Sequence, residues 1–204
     1  MTDQRPYATL LAKGEDRRQR ILAVAQRLLT RYGWRNTTLG RIAREAGVTP
    51  AGLLHHFESK DQLLHAVLEA RDAYDEAYQE TTTGDDVLEQ LEGVADRFRK
   101  VPDLVGMYMV LLIENIDPDA PLHDRLLGRY HAAVDTLAEG IRSGQRAGRF
   151  RTDLNPAVKA AEIVAFLYGM ETSWLLDPSI PVQEVFQEYV RSLALQLTSP
   201  AGAH

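Results

Sequence analysis

The chain has 204 residues, 45% of them apolar, and carries 23 Lys and Arg against 29 Asp and Glu for a formal net charge of −6. That apolar share supports a packed core, and the absence of cysteine excludes disulfides and thiolate metal sites. With no apolar N-terminal signal segment and no run near the ~18 apolar residues of a membrane span, a soluble cytoplasmic protein without a membrane partner is expected.

The net charge conceals an asymmetry. Residues 1–60 hold 11 Lys and Arg against 5 Asp and Glu, a balance of +6, whereas residues 61–204 hold 12 against 24, a balance of −12. A basic head on an acidic body suits a polyanion bound at one end. A solvated basic helix face would account for part of the same pattern.

Residues 1–14, with Pro6, Gly14 and no periodicity, read as a mobile arm. Ile21, Leu22, Ala25, Leu28, Leu29 and Tyr32 then form one stripe at helical spacing. Gly33 closes that helix, and Trp34 packs at the junction with the next. Residues 38–57, TLGRIAREAGVTPAGLLHHF, read as two short helices joined by a tight turn. Ile42, Ala43 and Ala46 mark the inner face of the first, and Gly47 falls where a helix ends in a left-handed residue. Thr49 can cap the second, with Pro50 at its first position. Leu53 and Phe57 anchor it, leaving Ala51, Gly52, His55 and His56 on the opposite face. This is a helix-turn-helix whose second helix can enter a DNA major groove, although an αα-corner in a plain bundle has the same spacing. A polar break at 58–61 follows. Ser59 is placed to cap a further helix carrying Leu63, Leu64, Val67 and Leu68.

These residues resemble the TetR family of transcriptional regulators. The likeness rests on Thr38, the IAREAGV run at 42–48, LLHHF at 53–57 and SKDQLL at 59–64. It is close over residues 15–68 and continues beyond them only in helix layout. Gly52 stands where the family often has Thr or Ser, and Leu54 where it often has Tyr. The resemblance implies an all-α fold with a three-helix DNA-binding head at 15–60. A six-helix effector-binding and dimerisation domain would occupy 61–197, and a short tail 198–204. It also implies a homodimer on a palindromic operator, most often a repressor, released by a small-molecule effector. Thr38, Thr49 and Lys60 are then expected on phosphates, with Pro50 opening the reading helix. His55 and His56 would lie at base edges, Ala51 and Gly52 at closest approach, and Leu54 against backbone sugar.

A helix at 60–79 has fewer anchors in its second half, where Tyr74 and Tyr78 stand i, i+4, and it suits transmission of motion from body to head. TTTG at 81–84 breaks it. Five more helices follow: one with Asp85 and Asp86 at its N-terminus, one at 103–116 that is apolar on nearly every face, and one from Pro121 to about Arg146. The last two run from Pro156 to Leu176 behind the cap Asn155, and from Pro181 to Leu197.

Ala157, Ala161, Ala165, Gly169 and Ser173 lie four apart, a row of small groups that admits another helix closely. Phe166 lies beside that row, and the last helix offers Val185, Tyr189 and Leu193. The resemblance makes this pair the dimer interface; packing within one bundle would use the same residues. A ligand cavity would draw on Phe98, Met107, Tyr108, Leu111, Glu114, Met170 and Trp174, all of which also suit plain core. Glu114 stands out as a carboxylate following MVLLI. No catalytic constellation, metal site or cofactor loop is expected: His123 and His131 are poorly spaced for chelation, and no Gly-rich phosphate loop occurs. The competing reading is an all-α enzyme or small-molecule-binding protein with a vestigial DNA-binding head.

Overall fold

The computed structural model describes residues 5–81 and 87–198, which form nine helices and no strand among the described residues. The chain divides into two compact units, Met1–Glu76 and Ala77–His204.

In the first unit α1 spans Arg5–Asn36, α2 Leu39–Glu45 and α3 Pro50–His56, and α4 (Lys60–Thr81) begins here. Helix α1 starts well before the expected end of the arm at residue 14. Pro6 lies in its first turn, where the missing N–H breaks no bond, and a lone Gly such as Gly14 costs a helix only about 1 kcal/mol. Residues 1–4 of the expected arm lie outside the described residues. Near its end α1 kinks at Gly33, whose φ of 74° and ψ of 172° are open essentially to glycine alone. The buried Thr37 closes this joint by donating its hydroxyl to the carbonyls of Gly33 (2.7 Å) and Leu28 (3.3 Å).

The turn between α2 and α3 follows the expected chemistry. Gly47 has φ +68°, and the Val48 N–H reaches back to the Ala43 carbonyl at 3.0 Å. The buried side chains of this unit include Ile21, Ala25 and Leu29 of α1, Ile42 and Ala43 of α2, Leu53 of α3, Phe57, and Leu63, Leu64, Val67 and Leu68 of α4. Those four α4 residues explain why the boundary falls inside α4 rather than at residue 60: its first half buries its apolar face in the head. Ser59 caps α4 by accepting the Gln62 N–H at 3.0 Å, and the Gln62 side chain returns to the Glu58 N–H at 2.5 Å.

The second unit contains α5 (Val87–Lys100), α6 (Pro102–Glu114), α7 (His123–Arg146), α8 (Pro156–Leu176) and α9 (Val182–Thr198). Asp85 and Asp86, expected to open α5, and residues 199–204 of the tail lie outside the described residues. Helix α6 is central as expected, with Val105 to Met109 and Leu111 all buried. Asn115 ends it, donating to the Leu111 carbonyl at 2.7 Å and accepting the Leu122 N–H at 3.3 Å. One core cluster joins Val87 and Leu91 of α5, Ile141 of α7, Ile163 of α8 and Leu193 of α9; a second joins Phe98, Val105, Met170 and Phe186. Asn155 caps α8 through the N–H groups of Ala157 and Val158. No described helix is long and apolar enough to cross a membrane.

Candidate nucleic-acid interface and ligand pocket

Helix α3 is held from one side only. Leu53 and Phe57 are buried, while Pro50, Ala51, Leu54 and His55 are exposed, Leu54 at 45%. Its N-terminus is fixed by Thr49, whose hydroxyl oxygen accepts the Gly52 N–H at 3.0 Å. A Cβ at position 52 would lie only 3.1 Å from that oxygen, so the missing side chain at Gly52 serves the cap as well as the bare face. Thr38 caps α2 in the same way, accepting the Arg41 N–H at 3.2 Å, and is exposed. Either threonine hydroxyl keeps its proton for an outside acceptor.

His55 and His56 diverge. Their rings meet edge to face at 5.6 Å, but His55 is exposed and His56 half-buried. Burial, and then the charges of His55, Arg17 and Arg18, hold the His56 imidazole below the ordinary histidine value. The Arg18 guanidinium also sits 5.4 Å from the centre of the Phe57 ring. Arg17 and Arg18 therefore extend the face of α3 with two fixed positive charges. Sequence reading passed over both, because only the fold sets them beside His56.

Arg41 stacks 3.7 Å over the Tyr32 ring and, with Arg27, reaches Glu45. Desolvation raises the Glu45 pKa, but the hydrogen bonds and charges of the two arginines outweigh it and hold the carboxyl below the usual range. Lys60, expected on a phosphate, is also held within the head. Its ammonium turns back to donate to the Trp34 carbonyl at 2.6 Å and lies 4.1 Å over the Trp34 ring, tying the start of α4 to the end of α1. Lys60→Ala is therefore expected to lower stability by about 1–2 kcal/mol while leaving the salt slope of DNA binding unchanged. Denaturant melts and titrations across salt check this; a slope lower by about 0.9 would return Lys60 to a phosphate.

The expected ligand residues separate in the second unit. Phe98 and Trp174 meet edge to face at 5.4 Å and border an open pocket of about 370 Å³, completed by Ile180, Val182, Gln183 and Glu184. Met170 lies in the same apolar cluster. Met107 and Leu111, fully enclosed, are core residues of α6, and the Tyr108 hydroxyl pairs with that of Tyr168 at 3.0 Å. Glu114 is not lodged in an apolar interior: it is the last residue of α6 and half-buried. The segment between α8 and α9 supplies a wall of the pocket through Pro178 and Ile180.

The expected interface residues also divide. Ala165, Gly169 and Ser173 are exposed on α8, between the exposed Val158 (63%) and Leu176 (88%), and Ala161 is half-buried. Leu193 is instead core, 2% exposed, because α9 turns that face toward α5. Tyr189 stacks on Phe166 at 3.5 Å within the chain, and its hydroxyl is pushed up to about 12 by burial and by Glu162. Val185 packs on the Phe98 cluster.

Residues 21–67 match the family model described as bacterial regulatory proteins, tetR family. The chain is 42% identical over 60 residues to the HTH-type transcriptional regulator SrpR of Pseudomonas putida, covering 29% of this chain and 28% of that protein. It is 26% identical over 149 residues to the HTH-type transcriptional regulator UidR of Escherichia coli K12, covering 72% of this chain and 62% of that one. The matches thus span less than two thirds of either relative. The crystal structure of a TetR transcriptional regulator from Chloroflexus aurantiacus superposes with a TM-score of 0.76 at 24% identity, over 91% of this chain and 98% of that one. Residues 21–67 thus carry the helix-turn-helix of the tetR family of bacterial regulatory proteins, and the helical layout of the whole chain has the fold of the solved regulator.

Proposed function

We propose that this chain is a homodimeric, DNA-binding transcription regulator, a repressor that leaves a palindromic operator when a small-molecule effector binds its helical body. The observation that carries this reading is the exposed face of α3. Thr49, Pro50, Ala51, Leu54 and His55 stand clear of the core, beside the positive charges of Arg17 and Arg18. Phosphates fix register through Thr38, Thr49 and the two arginines; His55 reads a base edge, and Ala51 or Leu54 meets a thymine methyl or sugar. Gly52 lets the helix backbone come close. His56, turned toward α1, lies near the backbone rather than at a base edge.

One short helix reads few base pairs, so two heads related by a two-fold axis are needed for a specific site. The exposed small residues of α8 support that pairing, with the Phe98 and Trp174 pocket as the effector site. An effector changes operator affinity only by binding the two arrangements of the dimer unequally, and the operator must weaken effector binding by the same factor.

Selection of bound duplexes from a random pool tests the reading. The expected product is an inverted repeat with half-sites ~34–36 Å apart, or a multiple of that spacing. Recovery of unselected sequence would mean a non-specific binder. No retention of DNA at all would favour the competing small-molecule-binding protein with a vestigial head.

A further inference from the structure

The pocket of the second unit has a lopsided chemistry. Its floor is aromatic: Phe98 is 3% exposed and held edge-on by Trp174 at 5.4 Å and by Phe186 at 5.7 Å. Trp174 is half-buried, so the indole is the aromatic surface that an entering molecule meets. The side walls at Ile180 and Val182 are aliphatic.

The polar groups are gathered at the start of α9. Glu184 lies in the first turn of that helix, is exposed, and makes no hydrogen bond or ion pair among the described residues. No Lys, Arg or His is among the described lining residues. The neighbouring Asp177 is turned away, accepting from the Ser179 N–H at 3.0 Å and hydroxyl at 2.6 Å. The helix end favours a carboxylate at Glu184 but supplies no counter-ion, and residues 61–204 carry a balance of −12.

These features discriminate between ligand charges. An anion would enter beside an unpaired carboxylate with no cation among the described lining to receive it. A neutral apolar molecule would use the aromatic floor and gain nothing from Glu184. A cation with an apolar body uses both, because the face of an indole attracts positive charge and the carboxylate completes the pair. A volume of about 370 Å³ lies at the small end of ligand pockets.

We infer that this pocket takes a small organic cation, an amine or quaternary ammonium on an aryl or alkyl body, with its charge between Trp174 and Glu184 and its hydrocarbon against Phe98 and Ile180. Binding stands on the pocket alone; the effect on DNA rests on the regulator reading above.

Three probes sharing one skeleton separate the possibilities: phenylbutylamine, phenylbutanol and phenylbutyrate, each titrated calorimetrically into the full chain. The amine is expected to bind at least about 5-fold more tightly than the alcohol, and the carboxylate least. Glu184→Gln should weaken the amine about 2- to 5-fold and leave the alcohol unchanged, since an exposed pair is worth little more. Trp174→Leu should weaken the amine by a further factor. The inference is overturned if none of the three binds, if alcohol and amine bind equally, or if Glu184→Gln leaves the amine unaffected. Titration of a selected duplex with and without the amine is read separately. Duplex binding that ignores a bound amine removes the effector role and keeps the pocket assignment. An amine that binds a chain unable to hold DNA removes the regulator reading alone.

Discussion

Gly144→Ala is expected to destabilise the second unit by about 3 kcal/mol, enough to lower its melting temperature by several degrees. A Cβ at this position would fall 2.1 Å from Cδ2 and 2.4 Å from Cε2 of Phe150. The ring has little room to retreat. Phe150 is 5% exposed, belongs to the cluster of Ile141, Ala160 and Leu197, and its N–H is bonded to the Gly144 carbonyl at 3.2 Å. Either α7 is pushed away from the segment that follows it or the ring leaves the core, and both outcomes are costly. Gly140→Ala, one turn earlier on the same helix, is the control. There the added carbon would meet Val87 at 3.6 Å, an ordinary contact, so the better helix former should stabilise by about 0.5–1 kcal/mol. Denaturant melts of the two variants should move in opposite directions. A shared sign would show that Phe150 is not held as described.

Gly169→Leu is expected to leave the protomer folded and abolish the proposed dimer. Within one chain a Cβ at Gly169 meets nothing within 4 Å among the described residues, so a larger side chain disturbs no internal packing. Against a second copy the same leucine would wedge apart the row of Ala165, Gly169 and Ser173. Sedimentation should report a monomer whose melt is close to that of the parent. Affinity for a full palindrome should fall at least about 100-fold, because two linked heads gain that much from effective concentration. Affinity for a single half-site should stay the same. A normal dimer with full operator affinity would place the interface elsewhere.

The helix-turn-helix was legible because its signals are local. Thr38 and Thr49 cap where caps belong, Gly47 supplies the left-handed residue, and Leu53 and Phe57 sit one turn apart. Helix α8 was read to the residue for the same reason, bracketed by Asn155-Pro156 and Asp177-Pro178. Other features depend on which surface meets which. Pro6 looks like a helix breaker in sequence, yet it lies in the first turn of α1. Leu193 and Gly169 both fit an interface by spacing, but periodicity cannot say which face of a helix turns toward its own chain. The same limit hid Arg17 and Arg18, and it hid the wall that Ile180, Val182, Gln183 and Glu184 add beside Phe98 and Trp174.

The one-sided anchoring of α3 has a consequence for how such a protein diverges. Leu53 and Phe57 secure the helix from beneath, and Ala51, Leu54 and His55 contribute almost nothing to holding it there. Under the proposed function, changes at those three positions would alter what is read at little cost to the fold, so operator preference would drift between lineages while the scaffold stays fixed. Gly52 is the exception. Its tightness under the Thr49 hydroxyl ties it to the helix cap, and it should be the slowest of the four to change.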